Sequence, residues 1–209
     1  MKNPLRLLFP RSHEHLLMGR VGSPPGPQNP VAGVETLAIR TADEARVGIL
    51  EAFSDANGFP QGWAGEMLAE GASAMVAIDP AGAVMAMGWM TRRRFHVEEI
   101  GATLDPGAGV YLFGDFVAPA QRGRNLQQLL VAQRLRAIEQ AAFTCTLVEP
   151  SNGASVRSYQ KEGFVNEAQF TRYHWRGRTW ARCRAIRRGS GVAFAMDGTD
   201  TIVAQARRG

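Results

Sequence analysis

FVAPAQRGRNLQQLL, residues Phe116–Leu130, is the stretch on whose reading the fold turns. It holds the end of an apolar strand that begins at Val110, a turn built on Pro119 and Gly123, and the opening of a helix. A helix N-terminus leaves about four backbone N–H groups without internal partners, and its aligned peptide dipoles make that end electropositive. A strand-turn-helix of this kind is therefore a seat for an anion, and Arg122 and Arg124 bring two positive charges to the same point. The expected guest is a phosphate or pyrophosphate. Turns of glycine and arginine also precede helices that bind nothing, so this stretch alone leaves the seat and a plain turn equally open.

Working outward, Leu126–Ala142 places apolar residues at 126, 129, 130, 137 and 141 and again at 131, 135, 138 and 142, the wide face of a helix laid on a sheet. Phe143–Val148 is almost continuously apolar, which suits a central strand. Next comes NGASVRSYQKEGF, Asn152–Phe164, a helix to Lys161 ended by Gly163. Upstream, Glu35–Arg40 alternates as a first strand, and Thr41 caps a helix that runs to about Ala56, where Asn57 and Gly58 stop it. Phe59, Pro60 and Trp63 lie on a loop into a short second helix, where they either wall a pocket or simply pack. Ala74–Ile78 and Val84–Thr91 form a hairpin about the turn Asp79–Gly82. Arg92–Arg94 read as a solvated strand end, while Glu98 and Glu99 precede a connection rich in glycine and proline. Around Arg176 and Gly177, QFTRYHW and RTWARCRAI form a final hairpin.

The two central stretches, in this order, resemble the two motifs of the GNAT superfamily of acyl-CoA N-acyltransferases. Val117-Ala118-Pro119 and the run from Arg122 match V-x-P followed by R-G-x-G-x-G/A, and Asn152–Phe164 matches N-x-x-S-x-x-x-Y-x-x-x-G-F. The likeness covers roughly residues 34–186 and implies an α/β (α+β) fold, with a mixed, mostly antiparallel central sheet flanked by helices and a splayed central strand pair. It implies acetyl-CoA as co-substrate, with no metal. The backbone of Phe116 and Val117 would hold the acyl carbonyl, and Arg122, Gly123, Arg124, Asn125, Leu126 and Gln127 the pyrophosphate. Asn152 and Ser155 would serve the amide-bearing arm, and Tyr159 holds the place of the general acid. A phenol with a reference pKa of about 10 stays protonated at neutral pH and can deliver a proton to a departing thiolate. An alkylamine acceptor needs a base, for which Asp115, on the same strand face as Val117, comes first and Glu99 second. Two positions depart from the motif. Asn125 replaces a glycine but tolerates the left-handed backbone, whereas Gln127 sets a long side chain where bare backbone would meet the cofactor.

Residues 1–33 contain GRVGSPPGPQNPVAG and read as a flexible tail and linker, and 187–209 as an extension holding an added hairpin (VAFAM and TIVAQA) or a loose tail. In a chain of 209 residues, no apolar run approaches the roughly 18 residues of a membrane span, and Leu5–Phe9 is too short for a signal-peptide core. Two cysteines, Cys145 and Cys183, make no disulfide framework, and a soluble cytoplasmic protein is expected. The net charge of +5 suits an anionic cofactor or nucleic acid. The leading reading is an N-acyltransferase acting on a small-molecule or peptide amine, with a homodimer left open. Beside it stand a GNAT-derived binding module with weakened catalysis and, last, a nucleic-acid or ribosome partner through the arginine-rich final hairpin, whose alternation should spread its charges over both faces.

Overall fold

The computed structural model describes residues 11–22, 31–40, 44–138, 141–186, 192–197 and 200–206. In chain order its elements are β1 (Arg11–Arg20), β2 (Glu35–Ile39), α1 (Glu44–Ala56), α2 (Trp63–Ala69), β3 (Ser73–Ile78), β4 (Val84–Thr91), β5 (Phe95–Val97) and β6 (Ala102–Asp105). Then come β7 (Val110–Val117), α3 (Leu126–Ala137), β8 (Thr144–Val148), α4 (Gly153–Lys161), β9 (Val165–Trp175), β10 (Arg178–Ala185), β11 (Val192–Met196) and β12 (Thr201–Ala206). Eight strands form one sheet in the order β10-β9-β1-β8-β7-β4-β3-β2, and β11-β12-β6-β5 form a second. The large sheet is antiparallel except where β7 runs parallel to β8. This is the mixed sheet the sequence implied.

Alternation along the strands sorts two cores. Leu17, Val76, Trp89, Tyr111 and Phe170 face one side, where Leu50 and Phe53 of α1, Met67 and Leu68 of α2, and Leu104 and Ile202 of the small sheet cover them. Met18, Leu112 and Val148 face the other side, against Val131 and Leu135 of α3 and Tyr159 of α4. Met75, Ala77 and Met85 continue that side under Leu126 and Leu130 of α3.

The expected tail at 1–33 needs correction, because Arg11–Arg20 is an inner strand between β8 and β9. Among Ser12–Arg20 of this strand, Leu17, Met18 and Gly19 are buried, Leu17 and Met18 against opposite cores. An inner strand with so short a buried segment shows no period long enough to outweigh the proline-rich run that follows it. Residues 1–10 and the Thr41 cap lie outside the described residues.

A second correction concerns the connection after Arg94. It holds β5 and β6, turned at Glu98–Gly101 through a Gly101 N–H to Glu98 carbonyl hydrogen bond of 2.9 Å. The added hairpin of the extension is present, and β12 pairs parallel with β6 at Thr201–Val203, so β11 and β12 belong to the folded body. In the β9–β10 hairpin, Arg178, Arg182 and Arg184 share parity and exposure on β10, together with Trp180, so these charges gather on one face of an edge strand instead of spreading over two. Arg187 and Arg188 lie outside the described residues, and Arg172 donates to the carbonyls of Ile100 and Gly101. Among the described residues no helix is long and apolar enough to cross a membrane. Cys145 is buried and Cys183 half-buried, both as free thiols.

Candidate active site

The site is made by a separation of strands. β7 and β8 pair only at Val110–Leu112 with Thr144–Thr146, although the strands continue to Val117 and Val148. Beyond that point the edge of β7 facing β8 carries no ladder, and the gap is the splay implied by the motifs. Opposite, β4 aligns Met87 with Phe116 and Trp89 with Phe113, so Gly88 stands against both Gly114 and Asp115. This β-bulge re-aims the strand. Gly114 takes φ +59°, and a methyl group there would sit 2.9 Å from Cδ1 of Trp89. After the bulge Phe116 packs with the α1 and α2 core, whereas Asp115 turns toward α3.

Asp115 enters a buried network. Arg134 of α3, fully buried, donates through Nη2 to Oδ1 of Asp115, through Nη1 to the Trp89 carbonyl at 2.7 Å and through Nε to the Leu130 carbonyl at 3.3 Å. Oδ2 of Asp115 accepts the Tyr159 hydroxyl at 2.7 Å and Nε2 of Gln127 at 3.3 Å. The same Gln127 nitrogen donates to Oγ of Ser155 at 2.9 Å, tying the start of α3 to the start of α4. Burial first, and the Asp115 carboxylate second, push the Tyr159 phenol far above its ordinary value, so it keeps its proton at any working pH. Asp115 is therefore an anchor for Tyr159 and a counter-ion for Arg134. Its oxygens are already taken by three donors, and it does not stand free to accept a proton from an amine.

Gly88 is glycine for this network's sake, since a Cβ there would lie 2.6 Å from Oδ1 of Asp115 and 2.7 Å from Cζ of Arg134. Gly88→Ala is expected to cost about 2–4 kcal/mol by forcing the buried pair apart, read as a fall in thermal midpoint with the wild-type unfolding slope.

A groove of about 650 Å³ opens above the network, between the starts of α3 and α4. Of the residues the motifs assign to the cofactor, Phe116, Val117, Arg122, Gly123, Asn125, Leu126, Gln127, Asn152 and Ser155 line it, together with Gln128, Arg157, Ser158 and Lys161. Arg124 is not among the lining residues: its Nη1 donates to Oε1 of Gln121 at 2.6 Å and lies 3.4 Å from Sδ of Met85. Asn125 adopts φ 59° and ψ 21°, the left-handed backbone a glycine would supply, and so preserves the turn. The first backbone bond of α3 runs from Leu129 N–H to the Asn125 carbonyl at 3.0 Å, which leaves the amides of Leu126, Gln127 and Gln128 at the opening without a backbone partner. On α4 the Asn152 side chain caps the helix by accepting from the Ser155 amide at 3.2 Å. Tyr159, 2% exposed, lies beneath the groove wall.

A second cavity, about 710 Å³, lies on the other side of β7. Phe59, Trp63, Phe95, Tyr111 and Phe113 wall it, Phe59 stacking on Trp63 at 4.8 Å and Phe95 against Phe113 at 4.2 Å. Glu99 lies here, not in the groove, as do Glu66, Glu70, Glu98 and Glu149. His15 of β1 lines the same cavity, with Nδ1 buried and unpartnered. Burial holds its imidazole below the usual value, against the opposing pull of Glu149 and Glu99. The sequence reading missed His15 with its strand, and it missed Arg134, which sits inside an otherwise apolar helix stripe where a charge reads as surface. Among the described residues no group of His, Cys, Asp and Glu could hold a metal ion.

No family model matches the sequence, and no curated protein is significantly similar to it. Solved structures are similar in fold. A GNAT-family protein from Novosphingobium aromaticivorans superposes with a TM-score of 0.55 at 19% identity, over 77% of this chain and 63% of that one. A GCN5-related N-acetyltransferase from Sphaerobacter thermophilus gives 0.56 at 17% identity, over 88% and 56%. A GNAT-family acetyltransferase from Colwellia psychrerythraea gives 0.53 at 14%, over 78% and 56%. The chain thus spans less than two thirds of the length of each of these structures.

Proposed function

We propose that this chain, which has the fold of the GNAT-family N-acetyltransferases, moves an acetyl group from acetyl-CoA to the primary amine of an acceptor. The observation that carries the reading is that adjacent residues line the two cavities, Asp115 the groove and Gly114 the aromatic cavity, just past the point where β7 leaves β8. A donor on one side and an acceptor on the other would face each other through that gap.

The groove fits an acyl-CoA in its chemistry. The open amides of Leu126–Gln128 and the charges of Arg122, Arg157 and Lys161 suit a pyrophosphate-bearing nucleotide. The free edge of β7 at Phe116 and Val117 offers backbone hydrogen bonds to an extended arm, as Asn152 and Ser155 offer side-chain ones. The co-substrate brings an acyl group activated as a thioester. In the proposed reaction the amine forms the new C–N bond as the C–S bond breaks. Glu99 takes the proton released by the amine, directly or through water, because it is the acid of the sequence reading that lies on the acceptor side. Tyr159 supplies the proton for the departing sulfur by turning its hydroxyl from Asp115, once the Gln127 amide has moved off Asp115.

The test is release of free thiol from acetyl-CoA by the full chain in the presence of primary amines. Amine-dependent release is expected, and Glu99→Gln should lower kcat by roughly 10²-fold, as loss of a general base does. An acetyl-CoA-bound protein that releases no thiol with any amine would turn the reading toward a binding module.

A further inference from the structure

The aromatic cavity differs in charge from the rest of the molecule. The chain carries +5 overall, yet Glu66, Glu70, Glu98, Glu99 and Glu149 line this cavity with no lysine or arginine among its lining residues. The five come from three separate places: α2 with the residue that follows it, the β5–β6 turn and the residue following β8. None of them forms an ion pair among the described residues. Arg93, near the rim, gives its Nη1 to the Glu70 backbone carbonyl at 3.0 Å and not to the carboxylate. Like charges gathered around one concavity repel one another until a counter-charge arrives. One further feature independent of the acids bears on what that guest is: the aromatic rings of Phe59, Trp63 and Phe95 wall the same space, and aromatic rings attract cations.

We infer that the acceptor is a compact aliphatic amine carrying at least one further cationic group, a diamine or triamine, with one nitrogen at the Gly114 end and the others held among the glutamates. This rests on the acyltransferase reading for the fate of the first nitrogen, but not for the binding of the others. A volume near 710 Å³ is in the range of small-molecule pockets and admits such a chain without displacing protein.

The experiment is calorimetric titration of the full chain with spermidine, 1,4-diaminobutane, n-butylamine and 4-amino-1-butanol, at low and at physiological salt. Spermidine and the diamine are expected to bind at least about ten-fold more tightly than the two monoamines, with the advantage shrinking as salt rises. Combining Glu98→Gln with Glu99→Gln should remove most of that advantage, whereas Glu35→Gln on β2, away from the cavity, should leave it intact. Equal affinity for diamine and monoamine overturns the inference, as does an advantage that survives the double exchange. A lysine-rich peptide that binds more tightly than spermidine also overturns it, in favour of a basic peptide. Acetyl-CoA titrated into the same samples separates the two readings: its binding without diamine preference removes the acceptor assignment alone, and diamine preference without its binding removes the acyltransferase reading alone.

Discussion

Arg134→Leu is expected to lower the stability of the fold by about 3–5 kcal/mol, one of the largest effects any single exchange should have in this chain. The loss comes less from the missing attraction than from what is left behind, an Asp115 side chain that is 9% exposed with its counter-ion gone and only Tyr159 and Gln127 to solvate it. The Trp89 carbonyl would lose its donor as well. A second exchange distinguishes these contributions. Arg134→Leu combined with Asp115→Asn should recover a good part of the loss, because a neutral amide can still accept the Tyr159 hydroxyl. Chemical denaturation of the native chain and the two variants gives the answer, and a double variant no more stable than Arg134→Leu alone would show that the ion pair is not the source of the cost.

Tyr159→Phe should lower kcat by roughly 10²-fold to 10⁴-fold while leaving the affinity for acetyl-CoA nearly unchanged. Only a hydroxyl is removed, and that hydroxyl lies beneath the groove, bonded to Asp115. Because Asp115 keeps Arg134 and Gln127 as partners, the stability cost should be confined to about 1–3 kcal/mol, which thermal unfolding can separate from the kinetic effect. The pH profile is a further check. The phenol is held above its ordinary value of 10.0, so wild-type activity should show no loss attributable to Tyr159 on the alkaline side up to that pH. A turnover number unaffected by the exchange would leave Tyr159 as a core residue and make solvent the proton source.

How far this was readable beforehand depends on the range over which each feature is encoded. The turn after Val117, the start of α3 and the cap and tyrosine of α4 are local: glycine, proline, asparagine and helical spacing state them within a few residues. Even the replacement of glycine by Asn125 was interpretable, since asparagine enters the left-handed region where most side chains do not, and φ 59° is what the turn uses. Features set by distant pairing were not legible in this way. β1 shows only Leu16, Leu17 and Met18 as an apolar signal, and β5 and β6 have three and four residues each. They are strands because partners far along the chain complete their ladders. Arg134 is a charge within an otherwise apolar stripe of α3, and its burial follows from the bulge that brings Asp115 beneath it. Asp115 was correctly placed on the face of Val117, but that face meets α3 and not the acceptor. The acids of the aromatic cavity stand on three unconnected segments, so no window of sequence contains their convergence.

Gln127 bears most directly on whether the groove takes acetyl-CoA, because its side chain crosses from α3 to α4 through that groove. The decisive measurement is calorimetric titration of acetyl-CoA into the native chain and into Gln127→Gly, where the added glycine itself costs the helix up to about 1 kcal/mol. Ordinary micromolar binding to the native chain is expected, with the Gln127 amide displaced from Asp115 and Ser155 at modest cost and the glycine variant within a few-fold. No binding to either protein at millimolar acetyl-CoA would contradict this.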